Sequence, residues 1–413
     1  MTGQADAEHP GQPPGPMNSV DRAFASVPLP PLLVSHLVDF PAGSFTLEEL
    51  RRRVETRAPD LAALRLASPG HGGRAWVPTA LPDPKVHVVQ AFVAGRLDEA
   101  TDRVVRTPLP VVPAWELCLL TAEGVQRLCF RIDHAITDGV GATHLLAALL
   151  ADEPAGGAHP YRRPATARPS LAWLAALPWR RVQPRRAVPR GFTTEVSGTP
   201  VTAHADFPEP ALRRLAAALG VPVNDVYLAA LAHALGGWQR DHGSEAADLL
   251  VLMPMSVRTA GAKLRVGNRA LGGLVRLPCT RPSPRDCLAV LTPQLERRKR
   301  SGLREHGWTF LTRVPYRFLL RAMLQTGIRL GASHINLNGS YRVLGAPLLA
   351  ASVVSPNVPG LLGYFGLTRT ASTARISLVH DQVNAAAAEL PGRCVRSLEE
   401  LMALADSVVE ERR

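Results

Sequence analysis

The chain has 413 residues, enough for two domains or one large duplicated fold, and 46% of them are hydrophobic, enough for a sizeable core. Its formal charge of +12 is carried almost wholly by arginine, with lysine only at 85, 263 and 299. No aromatic-interleaved basic motif or helix-turn-helix pattern accompanies that charge, which argues against a nucleic-acid partner. The five cysteines (118, 129, 279, 287, 394) form no C-x-x-C pair and no disulfide or zinc pattern. Reduced thiols in a cytoplasmic protein, with no metal site, are therefore expected. The N-terminus lacks a basic stretch followed by an apolar one, so no signal peptide is expected. With no apolar run of about 18 residues, no membrane-spanning helix is expected either.

Residues 1–16 are rich in Gly, Pro and Gln and are expected to be disordered, with Met17 a candidate true start. Asn18 to Phe24 reads as a capped short helix, Leu33–Phe40 as a strand, and Thr46-Leu47-Glu48-Glu49 as a capping box opening a helix to about Arg57. Strands are predicted near Ala63–Ala67, Arg74–Val77 and Val86–Val93, then a helix over Leu97–Arg106. Glu116–Thr121 and Val125–Asp133 form a hairpin about Ala122-Glu123-Gly124. Leu128, Phe130 and Ile132 share one strand face; His134 falls on it and Asp133 points the other way. Asp138-Gly139 then breaks the strand, and Val140–Leu150 reads as an apolar helix.

A histidine is thus delivered to a strand-to-helix junction in a His-x-x-x-Asp-Gly arrangement. A neutral imidazole there can take a proton from a hydroxyl near pH 7 if its ring is held in one orientation and tautomer. Asp138 is near enough to help hold the turn and the ring, and Gly139 lets the backbone turn where a side chain would clash. The plainer reading of His134 is a buried histidine satisfied by local hydrogen bonds.

Asp133-His134-Ala135-Ile136-Thr137-Asp138-Gly139 resembles the His-His-x-x-x-Asp-Gly signature of acyl-CoA-dependent acyltransferases and nonribosomal-peptide condensation domains. The order of the surrounding motifs resembles the bacterial wax ester synthase/diacylglycerol acyltransferase family. Pro113-Ala114-Trp115-Glu116-Leu117 is similar to its Pro-Leu-Trp-Glu segment, and Asn224-Asp225-Val226 to its Asn-Asp-Val helix start. Met253-Pro254-Met255-Ser256-Val257-Arg258 followed by Gly267-Asn268 is similar to its Pro-Val-Ser-Val-Arg and Gly-Asn pair. Two departures stand out: Asp133 replaces the first histidine, and the Ser-Asn-Val-Pro-Gly segment is matched only by Leu337-Asn338-Gly339.

The resemblance implies a two-lobed α/β fold of the chloramphenicol-acetyltransferase and condensation-domain kind, with a tunnel between the lobes. Residues 17–153 would form one lobe, 154–198 a Pro/Arg-rich crossover linker and 199–413 the other lobe. Within the linker, Leu171–Arg181 carries two tryptophans flanked by arginines and suits either an anionic membrane surface or packing on the protein. In the second lobe, a strand is predicted near Thr202–Phe207, helices over Pro210–Leu219 and Val223–Trp238, and strands over Leu249–Met255 and Leu271–Leu277. Helices near Trp308–Leu330 precede strands at about His334–Leu337 and Ala374–His380, and Ser397–Glu411 closes the chain as a helix. The run Glu296–Arg300 reads as a solvated helix face rather than a phosphate clamp.

The implied activity is transfer of a fatty acyl group from acyl-CoA, a co-substrate rather than a bound cofactor, to an alcohol such as diacylglycerol or a long-chain alcohol. A carrier-protein-dependent condensation-type enzyme and a non-catalytic membrane-associated homologue are the alternatives. Its place would be cytoplasmic, with peripheral attachment to the inner membrane face or a lipid droplet. His134, Asp138 and Gly139 are the catalytic candidates, and Trp115, Asn224, Ser256 and Asn268 the substrate-binding ones. Arg258, at the end of a buried strand, needs a carboxylate, and the resemblance suggests Asp138; an exposed strand-end arginine is the alternative. Asn224 reads as a helix N-cap or a tunnel-facing donor, and Asn268 as a group positioning the acyl carbonyl or part of a turn. A poorly screened carboxylate at Asp133 would raise the pKa of a neighbouring base, so either screening by Arg131 or another arginine, or best activity at higher pH, is expected.

Overall fold

Asn18 accepts hydrogen bonds from the N–H groups of Val20 and Asp21, and the Asp21 carboxylate in turn accepts from the Asn18 N–H, which starts helix α1 (Ser19–Ala25). The same reciprocal arrangement between Thr46 and Glu49 starts α2 (Leu47–Arg57), as the capping box predicts. This computed structural model describes residues 15–27, 32–109, 112–153, 188–189, 191–243, 245–325, 327–337, 341–354 and 360–410. Residues 1–14 and most of the expected linker, including Leu171–Arg181, lie outside them.

The N-terminal sheet has five strands in the order β13-β1-β6-β5-β4. They are β1 (Leu33–Pro41), β4 (Val88–Ala91), β5 (Trp115–Ala122), β6 (Val125–Asp133) and β13 (Ala350–Val354). The predicted hairpin is the β5–β6 pair, with Trp115 opposite Ile132. Strand parity holds: Leu128, Phe130 and Ile132 enter one core with residues of α2 and α5 (Gly139–Leu150). Cys129 faces a smaller core on the other side, with Leu37, Cys118 and Leu120. Burial of each such large apolar side chain contributes about 1.5–3 kcal/mol. β13 pairs antiparallel with β1, so a segment within the expected C-terminal lobe (199–413), where no strand is predicted, completes the N-terminal sheet.

The second sheet has six strands in the order β7-β15-β14-β10-β8-β9. These are β7 (Pro200–Pro208), β8 (Leu249–Ser256), β9 (Ala270–Leu277), β10 (Leu330–Asn336), β14 (Gly363–Arg369) and β15 (Thr373–Asp381). Helices α6 (Glu209–Ala218), α7 (Val223–Asp241), α8 (Pro284–Arg300) and α11 (Leu390–Glu410) accompany this sheet. Residues of all four enter one core with those of β9, β14 and β15.

Several boundaries differ from the predicted ones for local reasons. Ala62–Arg65 is a 3-10 turn and only Leu66–Ala67 (β2) is extended, paired with β3 (Val77–Pro78). Asp83 caps a short helix, α3 (Pro84–His87), where a strand is predicted, because Asp-Pro starts a helical turn and Asp83 accepts from the Lys85 N–H. The helices predicted near Trp308–Leu330 are α9 (Trp308–Leu311) and α10 (Tyr316–Gln325), separated ahead of Pro315, and Leu330 already begins β10. Helix α4 (Leu97–Arg106) stands where it is predicted. In the run Glu296–Arg300, Arg297, Lys299 and Arg300 are exposed, whereas Arg298 turns inward to the Leu274 carbonyl.

Two buried ion-pair clusters join the halves. In one, Asp39 of β1 binds Arg127 of β6 at 2.6 Å and Arg375 of β15 at 2.6 Å, and Arg375 also reaches Asp206 of β7. Burial would raise the Asp39 carboxyl, but the two guanidinium groups outweigh that and hold it below the usual carboxylate range. The other cluster is at the head of α5. Among the described residues, no single helix is long and apolar enough to cross a membrane; α6 and α7 pass together only as a pair bent by 98°. Most of α7 is core.

Candidate active site

β6 ends at Asp133, and the His134 N–H donates to the Leu32 carbonyl, which fixes the backbone just beyond the sheet. Asp138 is the N-cap of α5, accepting from the Gly141 N–H at 2.8 Å. His36 of β1 and Thr143 both bind the Gly139 carbonyl, at 3.1 and 2.9 Å. Burial lowers His36 to a pKa of about 4, so its ring is neutral and its Nε2–H donates there.

Gly139 is not where a side chain would clash: a Cβ there would sit at ordinary contact distance from Ile335 and Val353. The crowded position is Gly141, where a Cβ would fall 2.1 Å from Thr137 Oγ1 and 2.4 Å from Arg258 Nη2. The sequence reading placed the need for glycine two residues too early.

Arg258 is fully buried and pairs with Asp138 at 2.9 Å across the lobe junction. Its Nε donates to both Asp138 oxygens, at 3.1 and 3.0 Å. Its remaining donors go to Thr137 Oγ1 and to the carbonyls of Ala262, Arg265 and Gly267. Asp138 also accepts from the Arg269 N–H at 2.7 Å. Burial acts to raise the Asp138 carboxyl, yet Arg258 and these N–H donors hold it below the ordinary range. The carboxylate is thus turned to Arg258 and two backbone amides. Among the described residues, no hydrogen bond joins it to His134.

The imidazole is oriented by Asn268 instead, whose Oδ1 lies 3.0 Å from His134 Nδ1. The Asn268 Nδ2 donates to the carbonyls of His134 (2.9 Å) and Ala135 (3.3 Å) and to Asp21 Oδ1 (3.3 Å). Three acceptors around Nδ2 fix the amide orientation, so Oδ1 must accept and His134 Nδ1 carries the proton. Nε2 then carries the lone pair, and among the described residues it has no hydrogen-bond partner. Asp21 anchors Asn268 further by accepting its backbone N–H at 2.6 Å. Gly267 makes the approach possible: its φ is +93°, and a Cβ there would fall 2.8 Å from Asp21 Oδ2. Phe24 of α1 stacks on the His134 ring, centroids 4.1 Å apart and planes within 5°. Burial is the main influence on the half-buried His134 and holds it below the ordinary imidazole value, against opposing pulls from Asp138 and Asn268.

Asp133 does not set that value. Its carboxylate accepts from the Ala135 N–H at 2.8 Å, and burial pushes its pKa up to about 6. Arg131 does not screen it, since Arg131 pairs with Glu116.

The other candidates lie elsewhere. Trp115 is fully buried, its Nε1 donating to the Leu64 carbonyl and its ring stacked on His87, so it is core. Ser256 ends β8 and accepts from the Arg258 N–H at 3.2 Å. Asn224 is not the N-cap of α7, which is Pro222; it sits in the first helical turn. The sequence reading missed Asp21 and Phe24: the capping box revealed their helix, but no spacing linked it to Asn268. It also passed over Asn357-Val358-Pro359-Gly360, which preserves the Asn-Val-Pro-Gly part of the segment assigned to Leu337-Asn338-Gly339. Residues 355–359 and 338–340 lie outside the described residues. Among the described residues, no three His, Cys, Asp or Glu gather as metal ligands.

Residues 31–200 match the wax ester synthase/diacylglycerol acyltransferase catalytic domain. A "probable diacylglycerol O-acyltransferase" of Mycobacterium tuberculosis is 26% identical over 286 residues, covering 59% of this chain. The match spans 61% of that relative's own length. The wax ester synthase/diacylglycerol acyltransferase from Marinobacter aquaeolei has the same fold, with a TM-score of 0.65, 17% identity and coverage of 95% of this chain and all of that one. The first condensation domain of the CDA synthetase aligns with a TM-score of 0.64 at 18% identity, over 96% of this chain and 97% of that one. Likeness to the wax ester synthase/diacylglycerol acyltransferase family thus rests on sequence over residues 31–200 and on fold over nearly the whole chain.

Proposed function

We propose that the chain is an O-acyltransferase moving a fatty acyl group from acyl-CoA to the hydroxyl of diacylglycerol or a long-chain alcohol. The observation that carries the reading is His134 itself. Its Nδ1–H is committed to Asn268 and its ring to Phe24, so Nε2, unpartnered among the described residues, is the basic nitrogen at the head of α5. A ring held below the ordinary imidazole pKa is neutral at pH 7 and available as a base.

In the reaction, Nε2 removes the acceptor's hydroxyl proton as the oxygen attacks the thioester carbonyl. The tetrahedral oxyanion collapses, the C–S bond breaks, and the imidazolium returns its proton to the departing thiolate. The first-turn N–H groups of Gly139 and Val140, at the positive end of α5, are the candidate oxyanion donors. Asp138 and Arg258 hold the junction rather than move protons. Every step uses the chain's own residues and the two substrates.

A lipid acceptor places the work at a membrane or droplet surface on the cytoplasmic side. Leu171–Arg181 is the segment whose composition suits that surface. The test is a turnover assay with long-chain acyl-CoAs against diacylglycerol and fatty alcohols, with an acyl-carrier-protein donor in parallel. Ester formed from acyl-CoA by the wild type and lost in His134→Ala is the expected result. Transfer from the carrier protein alone, or equal turnover by the variant, overturns it.

A further inference from the structure

Helix α1 has a second face. Asp21 and Phe24 point to the candidate active site, while Arg22 turns to a solvent-open cavity of about 370 Å³ lined by Arg22, Gly72, Arg74, Pro315, Tyr316 and Arg317. The cavity is framed by three pieces of chain tied to one another. The Met17 N–H donates to the Arg74 carbonyl, Ser19 Oγ to the Thr312 carbonyl, and Arg22 Nε to the Gly73 carbonyl.

Its lining holds three guanidinium groups and no carboxylate. Among the described residues, none of the three forms a salt bridge. The Arg22 guanidinium lies 4.3 Å over the Tyr316 ring, and that of Arg317 lies 6.0 Å from the same centroid. Two cations on one aromatic ring are tolerated because the ring face attracts them, but no carboxylate among the described residues neutralises them. Arg74 and Arg317 are exposed, and Arg317 Nε donates to the Tyr316 hydroxyl at 3.5 Å. Each guanidinium offers five N–H donors in a planar fork suited to phosphate, and Arg22 spends one on Gly73. The volume is that of a small-ligand site rather than a flat basic patch.

We infer that this cavity binds the phosphate groups of the acyl donor, the charged end of coenzyme A, while the thioester reaches His134 on the other side of α1. The inference rests on the acyl-CoA reading above. Arg22 and Phe24 are two residues apart on α1, so their side chains leave the helix on nearly opposite faces, the cavity on one and the imidazole on the other. A donor with a phosphate-bearing end and a long neutral arm spans that arrangement. An alcohol acceptor carries no anion that would call for three arginines.

The test compares wild type with the Arg74→Ala/Arg317→Ala double variant, leaving Arg22 in place. Coenzyme A and phosphate-free pantetheine are titrated into each full-length protein by calorimetry. Coenzyme A affinity should fall tenfold or more in the variant while pantetheine affinity holds. The Arg74→Lys/Arg317→Lys variant should stay nearer to wild type. In the wild type, inorganic pyrophosphate should displace coenzyme A, a readout that needs no variant to fold. Unchanged coenzyme A affinity, equal loss of both ligands, or a loss confined to pelleting with anionic phospholipid vesicles overturns the site. Acyl transfer measured in parallel separates the two ideas. Normal transfer with an unaltered KM for acyl-CoA in the variant removes the cavity and keeps the enzyme. Phosphate-dependent binding by a chain that transfers nothing keeps the cavity and removes the enzyme.

Discussion

Replacing Asp138 with Asn keeps the shape of the side chain and removes its charge, and the surroundings decide what that costs. Both carboxylate oxygens are occupied: Oδ1 accepts from Gly141 and Arg258, and Oδ2 from Arg269 and Arg258. An amide has one acceptor oxygen, so in either orientation its NH2 group faces a backbone N–H and the guanidinium, donor against donor. Arg258 is fully buried and loses its countercharge as well. Breaking a buried pair from one side costs about 3–5 kcal/mol. At about 2 °C per kcal/mol for a chain of this size, the melting temperature of Asp138→Asn should fall by about 6–10 °C. The native stabilisation depends on pH with a definite sign. Asp138 is held below its ordinary pKa, so its contribution is complete above the normal carboxylate range and is lost as pH falls below it. Calorimetric melts at pH 7 and at about pH 3, below the ordinary carboxylate value, test this for both proteins, with the difference between them shrinking at the lower pH. A variant that melts with wild type yet has lost turnover would place Asp138 on the histidine and refute the structural assignment.

His134→Ala should lower the rate of acyl transfer by on the order of a hundredfold or more with little change in melting, since it removes only the proton carrier; a folded variant with near-normal turnover would sink the mechanism. Asn268→Asp puts a carboxylate against Nδ1, which favours the protonated ring, so the acidic limb of the pH–rate profile should move to higher pH; an unmoved limb would contradict the Asn268 contact. Asp133→Asn should leave that limb where it is, because the Asp133 carboxyl faces the Ala135 N–H; a shifted limb would show charge coupling to the imidazole. Asp39→Asn leaves Arg127 and Arg375 buried together and should cost about 3–5 kcal/mol in urea unfolding, with turnover of the folded protein retained; unchanged stability would mean that the cluster is not holding the lobes.

What could be read from the sequence was local. The β5–β6 hairpin follows from alternation over Val125–Ile132, and α2 from its Thr46–Glu49 box. The head of α5 was legible because Asp138-Gly139 breaks the strand just before the apolar run Val140–Leu150. Contacts closed over long separations were not, apart from the Arg258–Asp138 pair that the family resemblance suggested. Asn268 contacts a histidine 134 positions away and an aspartate 247 positions away. Hydrophobic period and capping preference carry no information on such pairings. β13 joins a sheet whose neighbouring strand lies more than 300 residues earlier, and its short apolar run, Ala350–Val354, has no period to betray it.

The same long separations explain why the site makes chemical sense only when the lobes are together. From the N-terminal stretch alone, His134 is an imidazole at a strand end whose nearest acid, Asp138, is a plausible orienting group. The C-terminal lobe changes both assignments. Arg258 draws Asp138 into a buried pair, and Asn268 takes over Nδ1. Asp21 is the hinge of this arrangement, because it caps α1 while holding both the main chain and the side chain of Asn268. Burial pushes its own pKa up to about 6, so an aspartate is kept at a position that disfavours its charge. An amide at 21 would avoid that penalty but would set an NH2 group against one of the donors of Asn18 or Asn268. The retained carboxylate therefore serves the orientation of Asn268, and through it the tautomer of His134, more than the stability of the helix it caps.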